Sequence, residues 1–268
     1  MQGTPTQRPA KPLVGVVHLP ALPGAPRHEL SMDAIELRAL ADARALAEAG
    51  FDAIFIENFG DAPFHAAGVE SVTVAAMARL VACVRRELPT LAVGVNVLRN
   101  DAAAGIAIAV ASGATFIRIN VHVGATATDQ GILDGRAATT LRLRRALGAS
   151  IAIWADVHVK HGRSLAHDNI ADEARDAVQR GLADVLIVTG PGTGWATAVD
   201  DLRSVRALDL GVPVYVGSGV NEQSLALYLA EADGIIVGSA LKVDGRAGAA
   251  VDAERAKRFA AHAREITS

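Results

Sequence analysis

The chain has 268 residues, is 51% hydrophobic and 21% charged, and carries a formal net charge of −3. That balance supplies a buried core and excludes a wholly disordered chain, and it lacks the basic excess that nucleic-acid binding needs. A single cysteine, Cys83, excludes an intrachain disulfide; it sits in a helical pattern, where a buried thiol is expected rather than a nucleophile.

The first 12 residues are polar and proline-bearing, and are read as a flexible lead-in rather than a targeting segment. No apolar run approaches the ~18 residues needed to span a bilayer, so the expectation is a cytoplasmic protein with no transmembrane segment. From residue 13 onward, short Val/Ile-rich runs alternate with longer Ala/Leu/Arg-rich stretches. The spacing predicts strands over 13–18, 53–57, 91–96, 116–120, 152–156, 185–188, 214–217 and 234–237. It predicts helices over 31–49, 69–86, 102–112, 135–147, 169–180, 198–207, 222–230 and 252–264. Near-continuous apolar strands are those of a sheet covered on both faces, and eight strand–helix units close a (β/α)8 barrel, here one domain over 13–268. Gly50, Gly113 and Gly181 fall between a helix and the next strand, where a left-handed cap residue is expected. The loops after strands one, two, four and six (19–30, 58–68, 121–134 and 189–197) are long, and a barrel carries its chemistry on that side. An open doubly wound sheet would show a Gly-rich dinucleotide loop after its first strand, but His18-Leu19-Pro20 stands there.

Side chains alternate along a strand, so parity groups the residues that share a face. At the strand ends the polar members come last: His18, Glu57, Asn96, then Arg118, Asn120 and His122, then Asp156, His158 and Lys160. Pointing into a packed barrel they would be costly; at its mouth they form a ring that converges on a pocket. Asp156 or Glu57 is the expected base and His158 or His122 the acid, with Lys160 and Arg118 opposing negative charge. His18, Asn96 and Asn120 are expected to bind substrate. The structural alternative is that Arg118 simply pairs with Glu57 or Asp156. His65 and His167 lie in loops and His262 on the last helix, and none is given a role.

Val216-Gly217-Ser218-Gly219 follows the seventh strand and Val237-Gly238-Ser239 the eighth. Glycine lets backbone N–H groups approach an anion, and barrels often hold phosphate between these two loops, so Ser218, Gly219, Gly238 and Ser239 are the expected phosphate ligands. The alternative is a pair of plain tight turns. Lys242, just beyond, either adds charge to the anion or caps the turn. The Gly-rich stretch Thr189-Gly190-Pro191-Gly192-Thr193-Gly194 lacks the Gly-Lys-Ser/Thr ending of a nucleotide loop and is read as a lid. No cofactor is demanded by any motif. His18, Glu57, Asp156 and His158 are donors of the kind a divalent metal accepts, but without a metal-binding spacing.

Long strings in the chain resemble the BtpA/SgcQ family: Gly15-Val16-Val17-His18-Leu19-Pro20, Glu57-Asn58-Phe59-Gly60-Asp61, Gly94-Val95-Asn96-Val97-Leu98-Arg99-Asn100-Asp101, Arg118-Ile119-Asn120-Val121-His122 and Asp156-Val157-His158-Val159-Lys160-His161. Thr128-Asp129-Gln130-Gly131 extends the likeness, and Asp134 departs from it where Glu is expected. The resemblance implies a TIM barrel of the ribulose-phosphate-binding kind, and a role in photosystem I biogenesis in cyanobacterial relatives. The expected function is therefore an isomerase, epimerase or lyase acting on a sugar phosphate or phosphoribosyl compound, a phosphorylated small molecule, by acid–base chemistry. The alternatives are a non-catalytic assembly factor and a nucleoside- or nucleotide-cleaving hydrolase in which Asp156 activates water. Barrels of this kind often assemble, so a homo-oligomer is expected.

Overall fold

A computed structural model describes residues 11–190 and 196–267. The lead-in expected over 1–12, apart from its last two residues, and positions 191–194 of the Gly-rich stretch lie outside the described residues. In chain order the elements are β1 (Leu13–His18), α1 (Met32–Glu48), β2 (Ala53–Glu57), α2 (Ser71–Glu87), β3 (Ala92–Asn96), α3 (Ala102–Ser112), β4 (Phe116–Ile119), β5 (Ala125–Thr128) and β6 (Gly131–Asp134). There follow α4 (Ala137–Ala146), β7 (Ala152–Val157), β8 (Gly162–Ser164), α5 (Ile170–Gln179), β9 (Val185–Val188), α6 (Val199–Arg206), β10 (Val214–Val216), α7 (Leu225–Glu231), β11 (Gly234–Val237) and α8 (Ala253–Thr267). Eight strands close a parallel barrel in the order β1-β11-β10-β9-β7-β4-β3-β2. The eight-strand barrel expected from the sequence is the observed one.

The remaining strands, β5, β6 and β8, form a small antiparallel sheet built from the loops after β4 and β7. It replaces the irregular loop expected over 121–134. Runs of three or four residues, mostly partly exposed, leave no hydrophobic period to read.

Two apolar layers explain why the barrel strands are hydrophobic on both faces. Outward residues such as Leu13, Val17, Ile54 and Ile56 pack with Ile35, Leu46, Leu80 and Val84 of the helices. Inward residues Val14, Val16, Phe55, Phe116, Trp154, Ile187, Tyr215 and Ile236 fill the barrel. Phe116 stacks on Trp154 with centroids 4.0 Å apart, and Trp154 meets Tyr215 edge-on at 5.2 Å. Each such pair adds about 0.5–1.5 kcal/mol beyond its burial. The Phe116 ring fits only because position 94 is glycine: a Cβ there would fall 2.1 Å from it.

At the helix-to-strand joints, Gly113 caps α3 in the left-handed region at φ 77°, as expected. The joint after α5 differs. There the positive φ belongs to Leu182, while Gly181 is required for close approach, since a Cβ on it would meet the carbonyl oxygen of Ala177 at 2.6 Å.

A candidate active site at the barrel mouth

Strand register builds the site. His18 pairs with Glu57, Glu57 with Asn96, and Asn96 with Arg118, so four neighbouring strands present one continuous row at their C-terminal ends. All four side chains are buried. Directly below lies the aromatic filling of the barrel, which closes the floor.

The Glu57 carboxylate is fixed by Asn96 on one side and flanked by His18 on the other. Asn96 donates its Nδ2–H to Oε2 at 2.6 Å, and His18 Nε2 lies 3.7 Å from Oε1. Burial alone would raise the Glu57 pKa, but His18, Lys160, Arg118 and the Asn96 hydrogen bond outweigh it and hold the carboxyl below its usual range. His18 itself is pushed down to about 4, chiefly by burial, with Glu57 opposing. It is therefore neutral near pH 7, and the charges that keep Glu57 ionised there are those of Lys160 and Arg118. His18 Nδ1 lies 2.8 Å from the carbonyl oxygen of Ala247, which can only accept, so Nδ1 carries the proton and Nε2 offers its lone pair toward the pocket. Burial lowers the pKa of the Lys160 ammonium, with Glu57 opposing the shift.

Arg118 and Asp156 form a bidentate pair, Nε to Oδ1 at 2.8 Å and Nη2 to Oδ2 at 3.0 Å, and Asn120 donates to the same Oδ2 at 2.7 Å. Arg118 also lies over the Phe55 ring, 5.4 Å from its centroid. With both its oxygens engaged, Asp156 is an anchor for Arg118, which corrects its reading as the base or as an activator of water. The amides of Asn96 and Asn120 are likewise turned to the protein's own carboxylates rather than to a substrate hydroxyl.

Two expected acids do not join the ring. His122 lies beyond the end of β4, where strand parity no longer governs, and its Nε2 sits 2.7 Å from the carbonyl oxygen of Gly181. His158 has a positive φ of 50° that swings its side chain out to an adjoining cleft, where Nε2 lies 3.7 Å from Glu173 Oε2. The weak metal set is dispersed as a result. Among the described residues, no group of three or more His, Cys, Asp or Glu side chains is arranged to hold a metal ion.

The turns after β10 and β11 meet as expected. A narrow cavity is lined by Gly217, Ser218, Gly219, Gly238 and Ser239 together with His18, Glu57, Arg118 and Lys160. Ser218 Oγ accepts from Gly190 N–H at 2.6 Å, and Thr197 Oγ1 donates to the Ser218 carbonyl at 3.1 Å, so the loops after β9 and β10 are tied together. Lys242 does not reach this cavity. It is fully buried, with its Nζ 3.0 Å from Asp42 Oδ2 on α1.

A second, wider chamber of about 870 Å³ shares Glu57 and Lys160 with the narrow cavity. Its walls include Leu19, Phe59, Phe64, Leu98 and the arginines 27, 38 and 99. None of these was singled out by parity, because all lie in loops or on a helix beyond its reach; Leu19, Phe59, Leu98 and Arg99 do stand inside family-like strings. Asn58 was also missed. Its side chain accepts from Leu98 N–H at 2.7 Å and donates to Asp61 at 3.0 Å, fixing the loops that wall the chamber.

Comparison with known proteins gives three findings. Residues 9–265 match the model of the BtpA family. Photosystem I biogenesis protein BtpA of Synechocystis is 43% identical over 248 residues, covering 92% of this chain and 86% of that one. Among solved structures, 3-keto-L-gulonate-6-phosphate decarboxylase from Vibrio cholerae superposes with a TM-score of 0.59 at 17% identity, covering 96% of this chain and 97% of that chain. Phosphoribosyl anthranilate isomerase from Thermus thermophilus does so at 0.57 and 13%, covering 95% and 99%. At such identities the likeness is one of fold.

Proposed function

The chain belongs to the BtpA family, and we propose that it is an enzyme that acts on a phosphorylated small molecule by proton transfer, of the isomerase, epimerase or lyase type. The observation that carries this reading is that Glu57 and Lys160 border both cavities, an ionised carboxylate and a low-pKa amine facing one space beside two Gly-Ser turns. Phosphate would sit against Ser218, Gly219, Gly238 and Ser239. Glu57, kept ionised and oriented by Asn96, takes the proton from carbon or hydroxyl. Lys160 supports the oxyanion that develops and returns a proton to it, while neutral His18 accepts a hydrogen bond from a substrate hydroxyl through Nε2. Arg118, held in place by Asp156, lends positive potential to Glu57 from beneath the site and is not a proton donor in the reaction. The solved structures of like fold, named for a phosphosugar decarboxylase and a phosphoribosyl isomerase, agree with this class of substrate.

A second reading, a non-catalytic assembly factor, is favoured by the name of the Synechocystis relative. Against the hydrolase alternative stand the hydrogen bonds from Arg118 and Asn120 that occupy both oxygens of Asp156. Among the described residues no helix is long and apolar enough to cross a membrane. A cytoplasmic location and assembly into a homo-oligomer belong to the proposal, the latter checked by light scattering.

The experiment is exchange in D2O followed by NMR over a panel of phosphorylated aldoses and ketoses, alongside thermal shifts with the same compounds and inorganic phosphate. Ligand-induced stabilisation together with C–H exchange that disappears in Glu57→Gln supports the enzyme. A panel with neither response, in a protein that tolerates Glu57→Gln and Lys160→Met in vivo, favours the assembly factor.

A further inference from the structure

The outer chamber holds an arginine that the proposed chemistry does not use. Arg99 follows β3 and is only 3% exposed. One of its nitrogens, Nη2, donates to the Lys160 carbonyl at 2.5 Å, whereas its Nε is buried without a hydrogen-bond partner. Among the described residues no carboxylate lies within ion-pair distance of it. The contrast with the other buried cations is plain: Arg118 has Asp156 and Lys242 has Asp42. A guanidinium out of water without a counter-charge is a costly arrangement, and burial does lower the Arg99 pKa, against the more distant pull of Asp156, Glu57 and Asp129. Such a cost persists where a ligand is meant to offset it.

The surroundings agree. Arg27 and Arg38 line the same chamber; neither has an ion-pair partner among the described residues, and the Nε of Arg38 is also buried without a partner. With Lys160 they make four cations facing Glu57 and Asp129. Leu19, Phe59, Phe64 and Leu98 give the chamber an apolar side, suited to the carbon skeleton of a ligand, while Gln130 and His161 add polar groups to the wall. Planar forked donors of this kind select carboxylate and phosphate oxygens.

We propose that the substrate is anionic at both ends: one phosphate rests against the Gly-Ser turns after β10 and β11, and a second oxyanion, carboxylate or phosphate, is bound by Arg99 in the outer chamber. The reacting carbons then span Glu57 and Lys160, which stand where the two cavities join. This rests on the phosphate reading of the narrow cavity and narrows it to sugar-acid phosphates or bisphosphates. Arg99 acts as a specificity determinant.

The test is titration calorimetry with three six-carbon probes: sorbitol 6-phosphate with one anionic end, 6-phosphogluconate with a phosphate and a carboxylate, and fructose 1,6-bisphosphate with two phosphates. At least one doubly anionic probe should bind wild type about tenfold or more tighter than sorbitol 6-phosphate, the margin expected of charge-assisted hydrogen bonds. Which of the two is preferred distinguishes carboxylate from phosphate. Arg99→Gln should erase that preference while leaving sorbitol 6-phosphate affinity in place, and Arg99→Lys should keep part of it. Removal of an unpaired buried charge should leave the melting temperature of Arg99→Gln equal to or above wild type; a fall would mark Arg99 as structural and overturn the proposal. Equal affinity for all three probes would overturn it while the phosphate reading stands. Failure of every probe to bind would overturn both.

Discussion

Arg118 and Asp156 close a two-bond fork at the floor of the mouth, on neighbouring strands β4 and β7, with their side chains 2% and 0% exposed. The pair removes the most obvious base from the chemistry and leaves Glu57, which borders both cavities, as the candidate base. Asp156→Asn is expected to cost on the order of 3–5 kcal/mol of folding stability, because it leaves the Arg118 charge buried without a counter-ion. Urea unfolding of the purified variant measures this. Loss of turnover with stability intact would instead return Asp156 to the role of base.

His18 makes stability depend on pH in a defined window. Its pKa falls from 6.5 in the unfolded chain to about 4 in the fold. Between those values the unfolded chain takes up a proton that the folded one refuses. The contribution is therefore fully present above pH 6.5 and is lost as pH drops toward 4, amounting to roughly 3 kcal/mol across the window. Unfolding midpoints at pH 7.5, 5.5 and 4.5 should fall more steeply for wild type than for His18→Asn. Parallel curves would show that the imidazole titrates as freely as in water.

The rate of the proposed reaction should follow a bell in pH. The acid limb belongs to Glu57, whose pKa is held below its usual range, and the alkaline limb to Lys160, whose pKa is lowered from 10.5. Activity should thus be retained well below neutrality and decline before the pH at which an ordinary lysine deprotonates. Lys160→Arg, which stays protonated, should abolish the alkaline limb and lower kcat by about 10²–10⁴-fold, the usual span for an acid–base group. An alkaline limb unchanged in that variant would assign it to another residue.

The barrel was legible because its strands are buried on both faces and its helices carry the helical period; both signals are strong in runs of this length. The row His18-Glu57-Asn96-Arg118 was legible too, since parity inside a regular strand is fixed by the pleat. Parity failed for two residues past the strand ends, His158 by one position and His122 by three. His122 lies beyond Ile119 and His158 beyond Val157, and free of the ladder both backbones turn their imidazoles elsewhere. What a side chain touches was legible only in part: a pairing of Arg118 with Glu57 or Asp156 was the structural alternative, and Asp156 is the partner, but nothing in the order of residues says that Asn120 joins that pair or that Arg99, in the loop after β3, goes without a counter-ion. Those are properties of distant segments brought together by closure of the barrel.

Lys242 gives the complementary case. Three residues beyond Ser239, it stands where an anion-binding lysine would be expected, yet it is fully buried against Asp42, whose other oxygen accepts from Val251 N–H at 2.8 Å. This ties α1 to the segment that leads into α8. Lys242→Met is expected to cost on the order of 3–5 kcal/mol, since Asp42 would keep its charge in an apolar setting, and the double variant with Asp42→Leu should recover much of that loss. Inorganic phosphate should shift the melting temperature of the double variant as it does that of wild type, because the lysine is turned away from the Gly-Ser turns. A double variant that folds stably but no longer responds to phosphate would place Lys242 in the anion site after all.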